Sequence, residues 1–110
     1  MTDNYLKFDN KFVGDVIDEK KQITIRKGEP FVEAGQEVDL LTAGDNKFGE
    51  AIIVSTEFLP AKTIANIDFG KHRNYSGFMD FAEAMGEYYA EVIEPSTEFT
   101  VIYFRITNDS

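Results

Sequence analysis

The chain has 110 residues and 12.5 kDa, enough for one ordinary core and too little for two. It contains no cysteine, which excludes disulfides, thiol nucleophiles, iron–sulfur clusters and cysteine-ligated zinc. Twenty acidic residues against eleven basic ones give a formal charge of −9, which on average opposes contact with a polyanion.

Taken in chain order, Tyr5-Leu6-Lys7-Phe8 reads as a short opening strand. Asp9 and Asn10 suit a helix N-cap, and Phe12, Val13, Val16 and Ile17 recur at helical spacing, so a short amphipathic helix is expected over 10–19. Gln22-Ile23-Thr24-Ile25-Arg26 alternates polar and apolar residues around β-branched centres, the pattern of a strand. Ile23 and Ile25 are assigned to the core, and Gln22, Thr24 and Arg26 to the opposite, outward face. Gly28, Pro30 and Gly35 mark a connection to a strand at Glu37–Thr42.

Ala43-Gly44-Asp45-Asn46-Lys47 is turn chemistry, and the next strand, about Phe48 to Phe58, returns as a hairpin partner closed by Pro60. One or two helical turns are expected over Lys62–Ile67, then a loop over Asp68–Asn74. Ser76 is the expected cap of a second helix with the stripe Phe78, Phe81, Ala82, Met85, Tyr88, Tyr89 and Val92, ended by Pro95. Met79 and Met85 are assigned to the core. Glu98–Thr107 is the last strand, with Val101-Ile102-Tyr103-Phe104 largely buried. The sum is one α+β, mostly β domain over 1–110, a small barrel of five or six strands with two main helices. No apolar run approaches the length of a membrane span, and Met1-Thr2-Asp3-Asn4 lacks the features of a secretory signal, so a cytoplasmic protein is expected.

Most catalytic inventories fail on residue counts. The lone His72 excludes a multi-histidine metal site, and neither a calcium loop, a Walker loop nor a dinucleotide glycine fingerprint is present, so no metal and no cofactor are expected. The bases cluster locally: Lys20, Lys21, Arg26 and Lys27 fall together, and Lys71, His72 and Arg73 form a second knot. Lys21 sits where helix gives way to strand, Thr24 lies three residues on, and Arg26 shares the face of Thr24. One strand can thus present an ammonium, a hydroxyl and a planar guanidinium to one cleft, a set suited to an anion or a nucleobase edge; a solvated polar face is the bland alternative.

Lys21-Gln22-Ile23-Thr24-Ile25-Arg26 resembles the K-x-x-T-x-R signature of the ASCH domain family, a branch of the PUA-like superfamily. The resemblance extends over about residues 5–107. It takes in the preceding amphipathic helix, Gly35-Gln36-Glu37-Val38, the helix ending in Tyr88-Tyr89 and the closing Val101-Ile102-Tyr103-Phe104-Arg105-Ile106. It implies a small β-barrel with flanking helices and a basic cleft for RNA or nucleosides. Some small bacterial members are amidohydrolases that deacetylate acetylcytidine, with the lysine as proton acceptor, the threonine as nucleophile and a glutamate as proton donor. By position the first two roles fall to Lys21 and Thr24, with Lys20, Arg26, Arg73 and Asn74 as ligand-binding residues.

The sequence departs from the family pattern twice. Glu19 stands where glycine is usual, and His72-Arg73-Asn74-Tyr75-Ser76 offers no acid where the glutamate is expected. Asn74 can hydrogen-bond a ligand but cannot donate a proton as a carboxylic acid does. The first expectation is therefore an RNA- or nucleoside-binding domain built on Lys21, Thr24 and Arg26. The second is an acetylcytidine amidohydrolase, and the third an acidic protein-interaction or nucleic-acid-mimic domain.

Overall fold

The computed structural model describes residues 4–18, 22–67 and 77–109. Its elements run β1 (Tyr5–Phe8), α1 (Asn10–Ile17), β2 (Ile23–Lys27), β3 (Glu37–Thr42), β4 (Lys47–Pro60), α2 (Ala61–Ile64), α3 (Phe78–Tyr89) and β5 (Glu98–Asp109). The strands form one mixed sheet in the order β1-β3-β4-β5-β2, with β1 parallel to β3 and the other pairs antiparallel. Register shifts at Leu40/Leu41, Glu50/Ala51 and Ile53/Ser55 bend the long central strands, because a bulge adds local twist. The sheet curls into a half-barrel, which brings its two edge strands toward each other.

Both faces of this sheet are covered. Leu6, Phe8, Leu40, Phe48, Ile53, Ile102 and Phe104 form one core, with Val16 of α1 fully buried in it. Ile23, Ile25, Phe99 and Val101 form a second core under α2 and α3, with Ile64 and Phe81. β5 sends Val101 to one core and Ile102 to the other, which is why Val101-Ile102-Tyr103-Phe104 reads as an unbroken apolar run rather than an alternation. The same two-sided burial changes the face assigned to Thr24. That face turns into the half-barrel, not to solvent, and Thr24 is only 4% exposed.

α1 is capped by Asp9, whose carboxylate accepts from the Lys11 backbone N–H at 3.4 Å. α3 packs Phe78, Phe81, Ala82, Met85 and Tyr89 on the second core, as its periodicity predicts. Three expectations about this helix are corrected. It ends at Tyr89 rather than running to Pro95, because Ala90 turns left-handed (φ 56°, ψ 42°) and the Glu91 N–H bonds back to the Gly86 carbonyl at 3.2 Å. Val92 lies beyond that turn and is 87% exposed. Met79 is 78% exposed on the solvent side and takes no part in the core. Ser76, the expected cap, and the whole of the expected loop over Asp68–Asn74 lie outside the described residues, and the N-cap position is Gly77.

Ala90 carries a side chain where glycine has no steric penalty. Ala90→Gly is expected to raise stability by about 0.5–1 kcal/mol, read as a higher urea midpoint at unchanged slope.

Candidate functional site

β1 and β2 are the two ends of the sheet order, and one side chain crosses between them. Arg26 lies on β2 opposite Thr100 of β5, two residues after Thr24, which lies opposite Ile102. Period-two alternation puts Thr24 and Arg26 on the same face. The Arg26 Nε donates to the Thr24 hydroxyl oxygen at 3.0 Å. One Arg26 Nη donates to the Lys7 backbone carbonyl of β1, and the guanidinium lies 5.2 Å from the Phe8 ring centroid. The arginine thus staples the free edge of β1 to that of β2, held in orientation by the threonine.

Backbone alternation shows what else faces this slot. Gly28 N–H bonds the Glu98 carbonyl at 3.0 Å and Phe104 N–H bonds the Gln22 carbonyl at 3.0 Å, so the even-numbered residues of β2 point their backbone groups at β5. Ile23, Ile25 and Lys27 must then point theirs away from β5, along the outer edge of β2. Lys27 bears this out: its N–H donates to the Tyr89 hydroxyl of α3 at 2.9 Å. The backbone N–H and C=O of Ile25 lie on that same outer edge of β2.

The electrostatics of the slot differ from those of the surface. Lys7 pairs with Asp45 at 2.6 Å, Lys47 with Asp39 at 3.3 Å, and Lys27 with Glu91. Arg26 has no carboxylate partner among the described residues, although acids outnumber bases on the chain. Burial lowers its pKa from the usual guanidinium value, while the nearby Tyr88 and Tyr89 hydroxyls act in the opposite direction. Arg26 remains a cation at neutral pH.

Burial raises the pKa of Tyr89, and the hydrogen bond from Lys27 and the charge of Arg26 oppose that shift. The folded state therefore keeps this proton to higher pH than the unfolded chain, whose tyrosines titrate near about pH 10. Stability is retained below that pH and falls as pH rises through the folded-state pKa. Tyr103, raised by burial and by Glu57, adds to the same slope. Urea midpoints measured from pH 8 to pH 11 are expected to fall less steeply for Tyr89→Phe than for the parent chain. At pH 8 that variant should lose about 1 kcal/mol with the Lys27 bond.

Of the residues expected at the site, the structure brings Thr24 and Arg26 together. Lys20, Lys21, Arg73 and Asn74 lie outside the described residues. Phe8, the Lys7 carbonyl and the Tyr89 hydroxyl were not anticipated as site components. Phe8 and Tyr89 appear in the sequence only as apolar positions of a strand and a helix, and a backbone carbonyl carries no sequence signal. Among the described residues no three His, Asp or Glu side chains gather as a metal site requires. A separate open groove is lined by Glu29, Pro30, Val32, Glu33, Ala34, Thr56 and Phe58, none of them a signature residue. No helix among the described residues is long and apolar enough to cross a membrane.

A half-barrel of mixed strands with helices on both faces is a small α+β fold that solved structures share. The chain matches no protein-family model and no curated protein. It is similar to the ASCH domain of Lactobacillus crispatus, with TM-score 0.64 and 10% identity over 94% of this chain and 82% of that one. It is similar to a point variant of the Zymomonas mobilis ASCH protein, with TM-score 0.67 and 14% identity over 96% and 70%. A DUF984 family protein from Enterococcus faecalis gives TM-score 0.67 and 14% identity over 92% and 72%. The fold of this chain is that of the ASCH domains.

Proposed function

We propose that the chain is an ASCH-type domain that binds a pyrimidine nucleobase, carried by a modified nucleoside or by RNA, in the slot between β1 and β2. The observation that carries this reading is Arg26: a partly buried guanidinium with fixed orientation and no carboxylate partner among the described residues of an acidic chain. A guanidinium has five N–H donors. Thr24 and Lys7 take one each, which among the described residues leaves three for a ligand acceptor such as a base carbonyl or a phosphate oxygen. The outward N–H and C=O of Ile25 supply the complementary pair that a base edge or an amide needs. The resemblance of the sequence to the ASCH signature adds Lys20, Lys21, Arg73 and Asn74 as further proposed ligand contacts.

The deacetylating alternative makes Thr24 the nucleophile and Lys21 its base. A nucleophile must meet its substrate, and Thr24 is 4% exposed with its oxygen already accepting from Arg26. That arrangement suits a residue that orients the arginine. It favours binding over hydrolysis.

Calorimetric titration at low salt with N4-acetylcytidine and with a short single-stranded RNA tests the reading. Thr24→Ser keeps the acceptor for Nε and should bind like the parent chain. Thr24→Val removes it and should weaken binding about tenfold, the loss of one hydrogen bond to a charged group. Acetate should not be released. Absence of binding by the parent chain, or equal binding by Thr24→Val, would sink the proposal. Acetate release that Thr24→Val abolishes would establish the hydrolase instead.

A further inference from the structure

Tyr88 is a large aromatic side chain left 55% exposed at the C-terminal end of α3, yet its ring is not loose. It packs edge-to-face on Tyr89, with centroids 5.0 Å apart and planes at 76°. Tyr89 is itself pinned twice, by its hydrogen bond from Lys27 N–H at 2.9 Å and by its ring contact with Phe99 at 6.2 Å. Lys27 is the chain neighbour of Arg26, so this anchoring holds the Tyr88–Tyr89 pair at the same end of β2 as Arg26. The Arg26 guanidinium feels the hydroxyls of both tyrosines, which agrees with that placement. A rigid aromatic face near a cation that has no carboxylate partner among the described residues is the arrangement that single nucleobases recognise, since every base has a π-face to stack and polar edge groups to bond.

We infer that Tyr88 is the stacking platform of the nucleobase whose edge Arg26 reads, so that a base is gripped on its face by α3 and on its edge by β2. The inference rests on the nucleobase-binding reading of the slot and extends it to a specificity residue. The sequence beside the platform is acidic and not basic: Glu87 precedes it, and Glu91, three residues on, is tied to Lys27. The contact Tyr88 makes is therefore with the uncharged base and not with its phosphates.

The test titrates the full chain with N4-acetylcytidine and follows both heat and the ultraviolet absorbance of the base. The parent chain should bind with hypochromism, the signature of stacking. Tyr88→Ala should lose the hypochromism and bind roughly 5- to 100-fold more weakly, the range for one base–aromatic stack. Tyr88→Phe keeps the ring and should restore both signals. Circular dichroism of the two variants should match the parent, because Tyr88 is exposed. Tyr88→Ala binding at parental affinity with hypochromism intact would overturn the inference alone. So would Tyr88→Phe binding as weakly as Tyr88→Ala, since the hydroxyl and not the ring would then matter. Absence of nucleoside binding by the parent chain would overturn the slot reading and this inference together.

Discussion

Phe81→Ala is expected to lower stability by about 3–5 kcal/mol, the cost of emptying a large aromatic site in a packed core. Phe81 is fully buried and meets Phe99 edge-to-face at 5.2 Å and 75°. It is the central contact between α3 and the sheet, with Phe78, Ala82 and Met85 around it only partly buried. For a domain of this size the loss is a large fraction of the total stability. Urea denaturation should therefore show a much lower midpoint, and Phe81→Leu, which refills most of the volume, should recover more than half of the deficit. α3 also carries Tyr89, which caps the β2 edge at Lys27. Loosening that helix should weaken nucleoside binding even though Phe81 touches no ligand. A Phe81→Ala chain with parental midpoint would show that α3 is not held by this contact.

Arg26→Lys should have the larger effect on binding and a smaller one on stability. Lysine keeps the charge but replaces a planar fork with a point donor, so it cannot bond the Thr24 hydroxyl, the Lys7 carbonyl and a ligand together. Binding of N4-acetylcytidine is expected to fall at least tenfold. Arg26→Leu should abolish binding and also cost about 1–3 kcal/mol of stability. It leaves the Lys7 carbonyl without its partner and opens the staple between the edge strands. Comparing the two separates charge from geometry: if lysine binds as well as arginine, recognition is a matter of charge alone.

The elements of the fold were legible because local signals agreed with the global arrangement. Asp9 as a cap, the spacing of Phe12, Val13, Val16 and Ile17, and the alternation of Ile23 and Ile25 all describe interactions within a few residues. What remained hidden was long-range. The polar face of β2 reads as solvent-facing because alternation cannot say what covers the other side, and here the curled sheet does. The early end of α3 carries no local sequence signal, because Ala90, not a glycine or proline, adopts the left-handed turn. The threonine–arginine contact was implicit in a spacing of two on a strand. The Lys7 carbonyl, nineteen positions from Arg26, meets it only because the half-barrel closes.

The Arg26 guanidinium, oriented by Thr24 at the seam of the half-barrel, is the proposed reader of the ligand. The most direct measurement is a nitrogen-15 NMR titration that follows the arginine Nε–H resonances while N4-acetylcytidine is added, with Arg26→Lys used to assign the Arg26 signal. The Arg26 Nε–H and the Ile25 backbone N–H are expected to shift together and saturate with one affinity. Saturable shifts elsewhere in the protein, with both of these resonances unmoved, would contradict this reading.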